Sequence, residues 1–152
     1  MLFRSAYVFV DAGIPRNGLS RIELMSLEDQ QWAEQFHRSL LQGEQFPNWN
    51  EDDLQEVIPN QLLRQKMMAE VHPRSLPFFE EAIPVYDAWP DAPCIYIKFS
   101  KPYNWDAVQA KQAGWTVHEL NAGHFHMLVE PLTVADLVVN SVNKQLDVPS
   151  AK

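Results

Sequence analysis

The chain predicts an α/β protein built on a short parallel sheet, and three observations carry that expectation. The first strand-like segment, Ala6-Tyr7-Val8-Phe9-Val10, is apolar at every position, the pattern of a strand covered on both faces. Two later strand-like segments, at residues 95–99 and 116–120, are each followed by a stretch of helical periodicity. The resulting order is strand, helical insertion, strand, helix, strand, helix. Such alternation joins neighbouring strands by right-handed crossovers rather than hairpins.

Each element has a local reason. The strand at 6–10 runs into Asp11-Ala12-Gly13-Ile14-Pro15, a turn sequence. A helix is predicted from Ser26, which caps it. Glu28 and Asp29 fall in its first turn, and Trp32, Phe36 and Leu40 recur every four residues. Gly43 ends it. Asn50 caps a short helix carrying Leu54, Val57 and Ile58, stopped by Pro59. Asn60 caps a third, carrying Leu62, Leu63, Met67 and Val71 and stopped by Pro73. The chain has 11 prolines, and those between Pro73 and Pro102 mark a long rigid connection. Ile95-Tyr96-Ile97-Lys98-Phe99 is the second strand. Asn104 is the expected cap of a helix over 105–113, with Gly114 at its C-terminal end. After the third strand at 116–120, Pro131 opens an apolar periodic helix running towards Val142.

The chain has 152 residues, 46% of them hydrophobic and 21% charged, which fits a single domain over 1–152 with a proper core. Within it, 6–20 and 90–148 read as the α/β core and about 21–89 as the insertion. A net charge of −8 repels a phosphate backbone, so nucleic acid is not an expected partner. The single cysteine, Cys94, has no intramolecular disulfide partner, which suits a reducing cytoplasm. It starts a strand among apolar residues and is expected in the core rather than as a nucleophile. No run approaches the roughly 18–20 apolar residues of a membrane span. The apolar start of the chain lacks a charged leader and a small-residue cleavage site, so it reads as a strand of the mature protein. A cytoplasmic chain without a membrane partner is the expectation.

The stretch richest in chemistry is Asn121-Ala122-Gly123-His124-Phe125-His126-Met127-Leu128-Val129-Glu130-Pro131. It sets His124 on a glycine turn between a strand and a helix, where an imidazole suits proton transfer. His124 and His126 form a His-x-His pair with His118 nearby, but a zinc site needs three or four converging ligands. No matched cysteine or carboxylate cluster accompanies them, so no metal or other cofactor is expected, and His126 is expected to pack under the loop. Asp11 has two open readings: it orients the imidazole of His124, or it serves only the turn before Ala12-Gly13. No Gly-x-Ser-x-Gly elbow is present to supply a nucleophile.

In this order and spacing the residues resemble the C-terminal half of an α/β-hydrolase-fold protein, in a bacterial subgroup of esterase-like hydrolases. Tyr7-Val8-Phe9-Val10-Asp11-Ala12-Gly13-Ile14-Pro15 looks like that family's sixth strand and its Asp-Ala-x-x-Pro turn. Residues from about 20 to 90 look like its helical cap. Trp89-Pro90-Asp91-Ala92-Pro93-Cys94-Ile95 is similar to the approach to its seventh strand. Gly114-Trp115 through Gly123-His124-Phe125-His126 is similar to its eighth strand and catalytic-histidine loop. The resemblance covers nearly all of this chain but only the later half of the family. It implies a partial α/β-hydrolase fold, with the last three strands of the sheet, His124 as triad base and Asp11 as the acid. Family members carry the elbow serine and an oxyanion-hole loop upstream, and neither is found here. Their acid usually follows the seventh strand, where this chain reads Ser100-Lys101-Pro102-Tyr103-Asn104, without a carboxylate. Asp11 occupies the alternative acid position after the sixth strand; Asp106, inside a helix, suits the role less.

Three expectations follow. The first is an α/β-hydrolase-like protein lacking the nucleophile half: a binding or interaction protein, or a hydrolase remnant, dimeric through antiparallel pairing of the edge strand Ala6 to Val10 with its own copy. The second is an ester-type hydrolase whose serine and oxyanion hole come from an N-terminal-half partner chain or a preceding segment. The third is a fragment of a longer hydrolase. Whether the chain is an enzyme stays open among them. Trp32, Phe36 and Leu40, with Met67, Met68, Phe78 and Phe79, line a pocket for a small apolar ester or acid, form plain core, or meet another subunit.

Overall fold

A computed structural model describes residues 5–147. In chain order the elements are β1 (Tyr7–Val10), α1 (Arg21–Glu28), α2 (Gln30–Leu41), α3 (Gln61–Glu70), α4 (Leu76–Glu80), β2 (Cys94–Lys98), α5 (Asn104–Gln112), β3 (Thr116–Glu119), α6 (His126–Val129) and α7 (Pro131–Asp147). They divide between two units, one formed by the chain up to Ile14 together with that from Ala88 onward, the other by Pro15–Asp87.

The first unit holds the sheet. Its three strands are parallel in the order β1-β2-β3, with Phe9 opposite Tyr96 and Ile97 opposite His118. The expected parallel three-stranded sheet is therefore present. Alternation along β2 sends Ile95 and Ile97 to one face, where they meet Val8, Val10, Phe99 and, from α7, Val134, Leu137, Val138 and Val142. Tyr96 points to the other face with Phe9 and Val117, against Ala107 and Ala110 of α5. The two alanines are small enough for the helix to lie close to the strand. Phe9 stacks on Trp115 with centroids 5.3 Å apart, and Trp89 meets both rings edge-on. Burial of both faces makes β2 the centre of the core: Ile95, Tyr96 and Ile97 are fully buried.

β1 is only half-buried along its length, although its sequence is that of a strand covered on both faces. The reason is its place at the edge. Tyr7 N–H donates to Pro93 O and Asp11 N–H to Ile97 O, so the peptide groups of Tyr7, Phe9 and Asp11 turn towards β2. Those of Val8 and Val10 turn the other way, and no strand among the described residues pairs with them.

The second unit is helical. Ser20 caps α1: its hydroxyl accepts from Glu23 N–H while the Glu23 carboxylate accepts from Ser20 N–H. This corrects the expectation that a helix starts at Ser26, which lies inside α1 with its hydroxyl on Ile22 O. Asp29 closes α1 and caps α2 through Trp32 N–H, so two helices stand where one was expected. Asn60 caps α3 as expected, through Leu63 N–H. Asn50 accepts from Asp52 and Asp53 N–H, but only a 3-10 turn over Asp52–Leu54 follows. Buried Arg64 donates to the carbonyls of Ile58 and Pro59, holding that turn against α3. Phe36 meets Phe46 and Phe79 edge-to-face, while Trp32 stays exposed.

Two further differences bear on the site. Asn104 does not cap α5 but is its first residue, because a 3-10 turn over Lys101–Tyr103 leads directly into the helix. Pro102 in that turn presets the helical φ one turn early. The short α6 stands in the chain between the loop that carries His124 and α7. No helix among the described residues is long and apolar enough to cross a membrane.

Two substitutions separate core packing from capping. Ile97→Ala is expected to cost about 2–5 kcal/mol of unfolding free energy, because β2 has no room to collapse around the cavity. Ser20→Ala is expected to cost about 0.5–2 kcal/mol. Urea titration of each variant measures both.

Candidate functional site

The chain leaves β1 at Asp11 with a φ of 44°, in the left-handed region that L residues seldom occupy. Aspartate tolerates that region better than most side chains, and here the carboxylate is what holds it. It is almost completely buried and receives four hydrogen bonds. Phe99 N–H and Ser100 N–H donate to Oδ1 at 2.6 and 3.0 Å; the Ser100 hydroxyl and His124 Nδ1–H donate to Oδ2 at 2.6 and 2.9 Å. Burial alone would push this carboxyl's pKa up. The bonds from His124, Ser100 and Phe99 outweigh it and hold the group below the usual carboxylate range.

The turn after Asp11 is pinned from two sides. The Tyr96 hydroxyl donates to Ala12 O at 2.7 Å, and buried Asp106 accepts from Ile14 N–H at 2.9 Å. Asp106 thus holds the loop that carries Asp11. Burial, and then the charges of Asp106 and Asp11, raise the Tyr96 phenol above its ordinary value.

His124 comes from the loop after β3. An ionised carboxylate only accepts, so the proton between the two groups sits on Nδ1, and the position left for a lone pair is Nε2. The ring stacks on Tyr103 with centroids 5.1 Å apart and planes 18° from parallel, and Phe125 meets it edge-on. Its side chain remains 37% exposed while its carboxylate partner is sealed, an arrangement of a fixed imidazole with an accessible edge. Burial, and then the charges of Asp11 and Asp106, push the Tyr103 phenol up to about 12. It is therefore a neutral platform beside the imidazole, not a competing base. Asp11, Ser100 and His124 follow β1, β2 and β3 respectively, all at the carboxyl end of the parallel sheet. That is the end at which open α/β sheets gather their ligand-binding groups.

The structure brings the two sequence-predicted residues together. Of the two readings of Asp11, its contacts favour the one in which the carboxylate faces the imidazole. Sequence reasoning missed Ser100 and Tyr103. The signal for Ser100 was the place where a carboxylate was sought and not found: a donor to the acid stands there instead of the acid.

The remaining polar candidates are committed elsewhere. Ser141 donates its hydroxyl to Leu137 O at 2.6 Å and meets His118 Nε2 at 2.9 Å, so that nitrogen is the donor in a part-buried structural pair. His126 packs edge-on against Phe99, 5.4 Å between centroids. Among the described residues no three His, Cys, Asp or Glu side chains are grouped to hold a metal ion. Cys94 is buried, and burial pushes its thiol up. Among the described residues, no serine, threonine or cysteine side chain bonds to His124. In the helical unit a cleft of about 290 Å³ is lined by Ser20, Ile22, Glu23, His37 and Glu80, and the stripe from Trp32 to Phe79 does not line it.

Comparison of the chain with protein-family models, with curated proteins and with solved structures finds no match.

The depressed Asp11 carboxyl fixes the sign of a pH effect. A carboxyl lowered by folding contributes stability that is present above its unfolded value, near pH 4, and lost as pH falls through the folded value. Asp11→Asn keeps the left-handed turn but removes that charge. The variant is expected to be less stable than the parent at pH 7, with the difference narrowing below about pH 4. Unfolding free energies measured across the acid range check it.

Proposed function

We propose that this chain carries the acid–base part of an α/β-hydrolase-type site, with Asp11 as the orienting acid and His124 as the base of ester hydrolysis. A serine nucleophile and an oxyanion hole come from a separate chain or from a preceding segment. One observation carries the reading: a buried carboxylate with four donors, on a left-handed backbone that few residues adopt, is aimed at a partly exposed imidazole. A turn aspartate needs none of that, since an exposed side chain serves a turn equally well.

The chemistry follows from the tautomer. Nε2 takes the proton of the serine hydroxyl as its oxygen attacks the acyl carbon, and the imidazolium formed is stabilised by ionised Asp11. The imidazolium then gives that proton to the leaving alkoxide as the acyl–oxygen bond breaks. Water repeats the sequence on the acyl-enzyme: its proton passes to Nε2, and the serine oxygen recovers a proton as the carboxylic acid leaves. Asp11 stays ionised throughout. The substrate class is a small carboxylic ester, and the single buried cysteine fits a reducing cytoplasm.

The outward peptide groups of Val8 and Val10 offer a place for the missing part, because a strand joining β1 in parallel ends on the same side of the sheet as His124. The same groups favour a second reading, in which β1 pairs antiparallel with the β1 of another copy, Val8 opposite Val10, in a two-fold binding or interaction protein.

Production of the chain together with a Gly-x-Ser-x-Gly segment encoded immediately upstream of it separates the two. The first reading expects p-nitrophenol release from p-nitrophenyl acetate, lowered about 10²–10⁴-fold by His124→Ala. No release from the pair retires it. The second expects a dimer by light scattering that Val8→Pro converts to monomer, since proline removes an outward N–H and leaves the β1–β2 bonds intact. A parent chain that is monomeric at micromolar concentration retires that one.

A further inference from the structure

The two oxygens of Asp11 are not equivalent. Oδ1 is satisfied by backbone N–H groups, those of Phe99 and Ser100, which most residues at these positions would supply. Oδ2 is shared by two side chains, with the Ser100 hydroxyl at 2.6 Å and His124 Nδ1 at 2.9 Å. Donors on one oxygen compete for the same charge, and here an O–H and an N–H each bond it at the length usual for that donor. Ser100 is itself fixed, since its own N–H is tied to Oδ1. The segment it begins also reaches the imidazole directly: Tyr103 N–H donates to Ser100 O at 3.3 Å, and the Tyr103 ring lies under His124. One short turn after β2 thus grips the carboxylate at one end and the imidazole at the other.

We propose that Ser100 is a positioning residue for the acid–base pair: its hydroxyl takes a share of the charge on Asp11 Oδ2, so His124 Nδ1–H is held in direction by a weaker bond than an unshared carboxylate would make. The proposal rests on the acid–base reading above. It concerns the resting pair, before any nucleophile or ester is present. Other ionisable groups near the pair include Tyr103 and Tyr96, phenols raised by burial and so neutral near pH 7, and Asp106 on α5, whose charge acts on both. None of the three shares Oδ2. A purely structural Ser100, one that only fills the last acceptor site of a buried oxygen, would alter stability without altering the bond to the imidazole.

The His124 Nδ1–H proton reads that bond directly. The chain labelled with ¹⁵N-histidine is observed at neutral pH, and the low-field imidazole resonance of His124 is assigned by its loss in His124→Gln. In Ser100→Ala the resonance is expected further downfield, as the bond to Asp11 shortens, and in Ser100→Thr it returns towards the parent position. Ser100→Cys, a poor donor of similar size, gives the same downfield direction should the alanine variant not fold. A resonance that stays at the parent position in folded Ser100→Ala or Ser100→Cys, or that moves upfield, overturns the proposal. Asp11→Asn separates this outcome from failure of the underlying reading. If it leaves the resonance unmoved, the acid–base pair itself is wrong. If it moves the resonance while Ser100→Ala does not, only the role of Ser100 falls.

Discussion

The site depends on one buried charge. Removing a carboxylate from water is costly unless every acceptor site it exposes is met, and Asp11 meets this condition by drawing donors from beyond two other strands. The ends of β1, β2 and β3 are tied together through a single side chain. The imidazole is therefore placed by the same interaction that closes the sheet's carboxyl end, and its orientation is a by-product of satisfying the charge.

The sheet that supports this charge is small and unequal. β2 is sealed between α5 and α7 and supplies the rigid reference, while β1 leans on it from one side only. Asp11 joins the two at the point where β1 would otherwise fray. Asp106 and Tyr96 reinforce the join by holding Ile14 and Ala12 in the turn that follows. The polar groups around the site are thus layered: one set fixes the loop, the next fixes the carboxylate, and the last fixes the ring.

Much of this was legible in the residues, and the misses share a cause. The β2 run Ile95-Tyr96-Ile97 and the caps at Asn60 and Gly114 are local patterns, decided by the residues themselves, and they appear as read. The helix is capped at Ser20 rather than Ser26 because the Ser20-Arg21-Ile22-Glu23 box closes reciprocally, a polar signal that the apolar spacing of Trp32, Phe36 and Leu40 does not contain. The depth of β1 could not be read at all, since coverage depends on a neighbour that the strand's own sequence does not contain. At the site, Asp11 and His124 were visible by residue type and place. Ser100 and Tyr103 were not, because their importance comes from contacts with Asp11 and His124, which lie far from them along the chain.

The left-handed backbone at position 11 leaves that site with almost no alphabet. Glycine relieves the torsion but has no oxygen to offer; asparagine accepts the torsion but brings an NH2 donor into a cradle whose four neighbours all donate. Glutamate keeps the anion on an arm one methylene too long for a cradle already fitted to atoms 2.6 Å away. A position under such double constraint should drift far less than the sheet around it. Among descendants of this chain, aspartate there is expected to persist for as long as the turn and its four donors do.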